Sequence, residues 1–471
     1  MTYLHSGKLP PDLDDVIAAV NAISIPAINV EIVVRPLPIF ETGLQYPLLI
    51  GTGERIDLMC IVFQDVTNFA RQGLLKPLEQ LVADYAPYIS EAETKYSLFD
   101  GSRFDGSFYS VSTINYVYGS AGGYLIKSSH LARAGLDTRD RQASLAEIGG
   151  LLGAIKAIYP DSFPNALKTS GQKTSRFGYT SLVDVFGPSG AAGALLDTES
   201  TTIVNLFASE AYRSYLAILR DWHLKGYTNP DAAVSDVSEM DRLINGIASG
   251  MAMISQPVIK SDVSATVGEA MTMFTLTDIY LPSQGMPGVS WAVPVTSADP
   301  VNAIRFLDLM FSNPKISNTL LWGIEGRHYI VEDADRFLIR FPDGVDADNS
   351  GYFNTYGLYG NRLYEYIWDI ENDRETNAAY TARARANPTR AAGYIYDSTK
   401  MLNRIAAVEA VLAEYLPALE SGSASIDVIY PVFISKLQAA GISQIIADNQ
   451  AQFDAWLQAD RKSVVLGKSV D

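Results

Sequence analysis

Apolar residues recur along this chain with two different periods. TYLHSG (2–7) reads as a short strand running into a loop. PPDLDDVIAAVNAIS (10–24) switches to helical spacing: Val16, Ile17, Val20 and Ile23 recur on one face, behind Pro11 and Asp12 in a first turn. NVEIVVRPL (29–37) is strand-like again. QYPLLIGTGERIDLMCIVF then predicts a short helix, a glycine turn and a third strand over 57–63. NFARQGLLKPLEQLVADYAPYI predicts helix interrupted at Gly73. This β-α-β-α-β-α order predicts a largely parallel sheet with helices on its faces.

FDGSFYSVSTINYVYG (104–119) breaks the rhythm. Its aromatic and β-branched residues alternate around a glycine turn, as in extended chain crossing from one lobe to another. A second α/β region follows. Its first helix, 144–159, opens with the capping box Ser144–Glu147. Strands are predicted at 200–207 and 250–255, a helix at 209–227, extended chain at 289–295 and a helix at 300–313. From about Asn377 the pattern is mostly helical, around a polar interlude at 379–401. With no internal repeat and no long linker, the lobes are expected to interleave through several crossings.

The length of 471 residues exceeds one ordinary core, so two or three lobes are expected. A net charge of −17 disfavours nucleic acid and anionic lipid as partners. The one cysteine, Cys60, excludes an intrachain disulfide; inside IDLMCIVF it reads as a buried small hydrophobe. No apolar run reaches the roughly 20 residues of a membrane span. The opening on strand-like chain, without a charged n-region and apolar h-region, reads as a mature-length chain whose export leader has been removed. The 26 tyrosines and 5 tryptophans suit a wet, sugar-like ligand, because tyrosine joins a flat apolar face to a hydrogen-bonding tip.

Candidate chemistry is sparse. His5, His130, His223 and His328 form no pair at metal-ligand spacing. GTGERI (51–56) lacks the third glycine of a dinucleotide loop and precedes a strand, and neither a P-loop nor a nucleophile elbow occurs. DADNSG (346–351) begins like a calcium loop, but its twelfth position is Gly357, where a bidentate Glu is needed. In LLWGIEGRHYIVED (320–333), Glu325 and His328 lie three residues apart. They read as a general acid–base pair or as an ion-paired turn at a helix end.

Several stretches, in order along nearly the whole chain, resemble the extracellular solute-binding proteins of family 1 that serve ABC importers. The subgroup they resemble is the LipO-like lipoproteins, with their helical C-terminal extension. The stretches are GTGERIDL, FARQGLLKPLEQLVADYAP, FDGSFYSVS, YLIKSSHLARAGLD, WHLKGYTNPDA, WGIEGRHY, YGLYGNRLYEYIWD and residues 430–457. Ser112 stands where the family usually has proline. The resemblance implies a periplasmic-binding-protein-like α/β fold: two lobes joined by a hinge with multiple chain crossings, plus a helical C-terminal region. Lobe one is expected over 1–112 and 292–350, and lobe two over 117–288 and 360–471, with crossings at about 112–117, 288–292 and 350–360. It also implies a lipid-anchored exported receptor, acting as a monomer without cofactor or metal, that captures a carbohydrate between its lobes for an ABC permease. A glycan-degrading enzyme is the alternative from another class, and a peptide or amino-acid receptor the alternative on the same fold.

In the resembled family the Gly-Ile-Glu-Gly turn follows a helix, here 314–322. Gly323 is then a left-handed helix stop, and Glu325, Arg327 and His328 form an ion-paired turn. Ligands of such sheets sit beyond the carboxyl ends of strands. That places His5, Ser6, Gly7, Gln64 and Asp65 on the wall of lobe one, and Ser255 and Gln256 after the 250–255 strand. Tyr116 and Tyr118 are placed just past the first crossing, Trp291 near the second, and Tyr356 and Tyr359 before the helix of the third crossing. Trp322 is expected in the core.

Overall fold

The computed structural model describes residues 1–467 apart from 6–8, 63–65, 97, 100–101, 116–118, 284–288, 347–348, 355–356 and 369–373. The side chains of Phe40, Pro188, Ala265, Arg374 and 459–467 also lie outside the described set. Contacts divide the chain into Met1–Tyr116 with Met286–Ala378, and Val117–Gly285 with Ala379–Asp471. Residues 360–378, assigned from sequence to the second lobe, therefore fall in the first unit. Aromatic packing and hydrogen bonds hold them there. The Trp322 indole N–H donates to Tyr366 O at 3.0 Å, and Asn361 Nδ2 donates to Tyr88 Oη at 3.1 Å.

In the first unit, strand Thr2–His5 pairs in parallel with Arg35–Pro38. Helix Leu13–Ile28 makes the crossover. It buries Leu13, Val16, Ile17 and Val20, and ends at Asn29 in the left-handed region (φ 55). Asp14 and Asp15 in its first turn complement the positive end of the helix dipole. Beyond this pair the expected parallel sheet is corrected. Ser290–Ala292 enters late in the sequence and lies antiparallel to both Met59–Ile61 and Val111–Ser112, so this three-stranded sheet is antiparallel and separate from the parallel pair. The returning strand begins where the other two finish, with Ser290 opposite Ser112 and Ile61, and so runs the other way. Helices Pro300–Ser312 and Pro314–Trp322 follow, each started by proline and capped by Asp299 or Asn313. Cys60 is buried in this core, as is Trp322, which is 1 % exposed.

The second unit holds a four-stranded sheet, ordered Gly250–Ile254, Gly122–Lys127, Met271–Thr275, Arg141–Gln142. Its first two pairings are antiparallel and its last parallel. Helix Leu145–Ile158 carries the predicted capping box, with both reciprocal bonds made. The strand predicted at 200–207 does not form. Val204 makes a single bridge to Ala194, and Leu206–Ala208 turns as a 3₁₀ helix capped by Asn205. Ile203, Leu206 and Phe207 reach the core as separate anchors, which supplies the burial that had suggested a strand.

Helices Leu402–Glu420, Ile426–Ala440 and Ile442–Gly467 share one core with the body of this unit. Phe433, Leu437, Ile442, Ile445 and Phe453 cluster with Phe186, Phe207, Tyr212 and Leu216. Their junction is a buried carboxylate. Glu420, 0 % exposed, accepts from Gln172 Nε2 (2.6 Å), Ser175 Oγ (2.5 Å), the Arg176 N–H (2.9 Å) and Tyr212 Oη (2.8 Å). Burial pushes this carboxyl above the ordinary range while the donors pull it back. Glu420→Ala strands all four donors and is expected to lower the unfolding free energy by about 3 kcal/mol, read from urea denaturation. Glu420→Gln, which keeps one acceptor oxygen, is expected to cost less. Equal stability of wild type and Glu420→Ala would show that the helices are held by apolar packing alone.

Candidate functional site

The Gly-Ile-Glu-Gly turn is built around an imidazole. Helix Pro314–Trp322 ends at Gly323, whose φ of 86° and ψ of −142° lie outside the left-handed helical region expected for it. The glycine serves close approach instead: a Cβ here would run into the ring of His328. His328 is fully buried. Its Nδ1 accepts the Ile324 N–H at 2.7 Å, so the proton sits on Nε2, which donates to Asp12 Oδ2 at 3.0 Å. Arg327 forks across the first turn of Leu13–Ile28, with Nη2 2.6 Å from Asp12 and Nη1 2.7 Å from Asp15.

The ion-paired turn thus exists, but its carboxylates come from 315 and 312 residues upstream. Glu325 itself is exposed. The hydrogen bond from His328, followed by the charge of Arg327, holds the Asp12 carboxyl below its ordinary value. Both His328 nitrogens are committed to this clasp, so it holds two helices together and offers no free base.

The strand-end residues divide into three groups. Ser6, Gly7, Gln64, Asp65, Tyr116, Tyr118 and Tyr356 lie outside the described residues. His5 ends its strand half-buried. The others face inward. Trp291 is 0 % exposed, and its indole N–H donates to Leu358 O at 2.9 Å. Tyr359, 1 % exposed, has its ring centroid 5.9 Å from that of Trp291, and its hydroxyl accepts from Asn354 Nδ2. Both are core residues here, because the flat apolar area that suggested a sugar platform packs the sheet instead. Ser255 and Gln256 are also buried. Ser255 Oγ bonds Thr275 Oγ1 at 2.7 Å, its carbonyl accepts from Tyr380 Oη, and Gln256 Nε2 donates to Gly119 O. These polar groups are occupied within their own unit.

Residues not singled out in the sequence gather at turn 357–361 of the first unit. The Ile114 N–H donates to Gly360 O, and the Arg362 N–H to Ile114 O. Gly360 (φ 59) backs onto the carbonyl of Met310, where no side chain fits. Asn361 caps the Leu363 N–H and reaches Tyr88. The Gly-Asn pair in YGLYGNRLYEYIWD was the visible signal. Glu365, eight residues past Gly357, accepts the Gly357 N–H at 3.2 Å and is 2 % exposed.

A surface hollow of about 550 Å³ in the same unit lies at the opposite, amino end of Thr2–His5, lined in part by Met1, Val30, Arg35, Glu54, Arg55 and Asp57. Its guanidinium groups are paired, Arg35 with Glu54 and Arg55 with Asp57, each at 3.0 Å. Asp346 and Asn349 bond each other's backbone N–H groups, so their oxygens serve a local turn.

This is the fold of the periplasmic-binding-protein-like proteins, with a helical C-terminal region in the second unit. The chain is 20 % identical to the N-glycan transport solute-binding protein NgtS from Streptococcus pneumoniae, with a TM-score of 0.79 over 97 % of this chain and 99 % of that one. It is 14 % identical to the S. pneumoniae ABC-transporter substrate-binding protein FusA in complex with kestose, with a TM-score of 0.69 over 98 % and 100 %. A carbohydrate ABC transporter substrate-binding protein of S. pneumoniae serotype 4 (strain ATCC BAA-334 / TIGR4) is 22 % identical over 470 residues, 96 % of this chain and 90 % of the relative. Residues 390–458 match a domain of unknown function, DUF3502. The resemblance to the solute-binding proteins read from the motifs is borne out.

The clasp has a testable pH signature. Because the folded-state carboxyl of Asp12 lies below its ordinary 3.8, its contribution is present above that value and lost as pH falls through the lowered one. Asp12→Asn is therefore expected to be less stable than wild type at pH 6, with the gap closing between pH 4 and 2 in chemical denaturation. A gap that is constant over this range would assign the loss to packing.

Proposed function

We propose that this protein is the extracellular receptor of an ABC importer, capturing an oligosaccharide and delivering it to the permease as a lipid-anchored monomer. The observation that carries this reading is the end-to-end agreement with NgtS, through both units and the C-terminal helices. A structure of NgtS in complex with Man5GlcNAc matches over 98 % of both chains with a TM-score of 0.73. Sugar hydroxyls call for side chains that donate and accept, and we assign that role to Gln64 and Asp65, which follow the third strand in the sequence. The reading includes no turnover. Glu325 and His328 are not an acid–base pair, and the buried carboxylates Asp184, Glu365 and Glu420 each accept hydrogen bonds from their own unit.

A thermal-shift and calorimetric screen of Man5GlcNAc, kestose and mixed peptides tests the class of ligand. A saccharide at about 100 times its Kd is expected to stabilise the protein by about 2.7 kcal/mol. Stabilisation by peptides alone would move the assignment to a peptide receptor. Shorter products in the same mixtures by mass spectrometry, abolished by mutating one carboxylate, would move it to an enzyme. With a saccharide in hand, Asp65→Ala is expected to weaken binding by about 1.5–3 kcal/mol at an unchanged melting temperature, the range for a hydrogen bond to a charged group. Unchanged affinity with a lower melting temperature would make Asp65 structural.

A further inference from the structure

Turn 357–361 has a defect built into it. Glu365 is buried, yet among the described residues its carboxylate receives one hydrogen bond, from the Gly357 N–H at 3.2 Å to Oε2. Its other oxygen, Oε1, has no partner among the described residues. Arg362 Nε stands 3.8 Å from Oε2, beyond hydrogen-bond reach. Glu420 shows what a settled buried carboxylate looks like in this protein, with four donors around it. Near Gly357 a second acceptor, Asn115 Oδ1, is also buried without a partner among the described residues. An ionised carboxylate in such a place lacks the donors that would replace its water, whereas a neutral carboxyl costs far less.

We propose that Glu365 is a proton-operated latch: protonated, it holds turn 357–361 against the sheet through Gly357, and ionised, it loosens that turn. The turn is mechanically connected. Leu358 O receives the Trp291 indole, Gly360 O receives the Ile114 N–H, and Thr113 Oγ1 lies 3.5 Å from Gly357 O. Loosening it therefore frees the indole of the central strand Ser290–Ala292. Burial, opposed by the Arg362 charge and the Gly357 bond, moves the Glu365 carboxyl from 4.5 up to about 7. Arg362 is the charged side chain acting on it. Tyr88 on the neighbouring helix Pro87–Tyr96 and Tyr359 in the turn are pushed further upward by burial and stay protonated across this range.

The sign follows from linkage. The closed turn holds a proton that the opened turn releases, so closure is complete below the ordinary 4.5 and is lost as pH rises toward about 7. The proposal rests on the unliganded protein and stands or falls independently of the saccharide reading.

Hydrogen exchange of peptides spanning 354–366, corrected for the intrinsic rate, is the test. In wild type the opening constant is expected to rise by up to about tenfold per pH unit between pH 5 and 7, then to level off. Glu365→Gln is expected to give a flat profile. Arg362→Gln, which removes the opposing charge, is expected to shift the levelling point to higher pH. A flat wild-type profile would overturn the latch, as would a Glu365→Gln profile that rises like wild type. Should Glu365→Gln fail to fold, the wild-type profile and the Arg362→Gln shift decide the matter, and an unmoved levelling point would overturn the role given to Glu365.

Discussion

A carboxylate drawn wholly or partly out of water must be met by donors, and for three of them in this chain the donors come from far away in the sequence. Asp12 is met by Arg327 and His328, Asp184 by Ser283 and Thr389, and Glu420 by Gln172, Ser175, Arg176 and Tyr212. Each group ties a late segment to an early one. The chain leaves and re-enters its units, so nothing in its connectivity alone holds a returning segment in place. Apolar burial supplies most of the driving force but is indifferent to register. The carboxylates add direction, because a displaced segment would strand a buried charge.

The same logic accounts for the C-terminal helices. The region matching the domain of unknown function, 390–458, does not stand apart in this protein. Its Phe433, Leu437, Ile445 and Phe453 belong to the core that holds Phe186, Phe207 and Tyr212. Asn449 extends the bond network, donating to Ala192 O and accepting from Tyr394 Oη. A helical extension fused into an α/β core in this way stiffens its unit.

Against these settled groups Glu365 stands out. It has the burial of Glu420 without its donors, at a turn held by the indole of Trp291 and the backbone of Ile114. Unsatisfied buried groups persist where the surrounding structure over-determines them, and they mark places able to move.

What the sequence determined by itself were features governed by near neighbours. Helical spacing at Val16, Ile17 and Val20, the Ser144–Glu147 capping box, the helices near 300–313 and 314–322, and the burial of Cys60 and Trp322 were all legible, as was the fold through its ordered motifs. Tertiary structure decided what depends on partners distant in the chain. It set Ser290–Ala292 antiparallel between two strands, and it dissolved the strand expected at 200–207 into separate anchors. It gave Arg327 the carboxylates of residues 12 and 15 instead of Glu325, and turned Trp291 and Tyr359 from an expected wall into core. Periodicity reports which residues seek burial, and capping reports where a helix begins. Neither encodes which distant group will supply a donor, because that depends on how segments hundreds of residues apart are brought together.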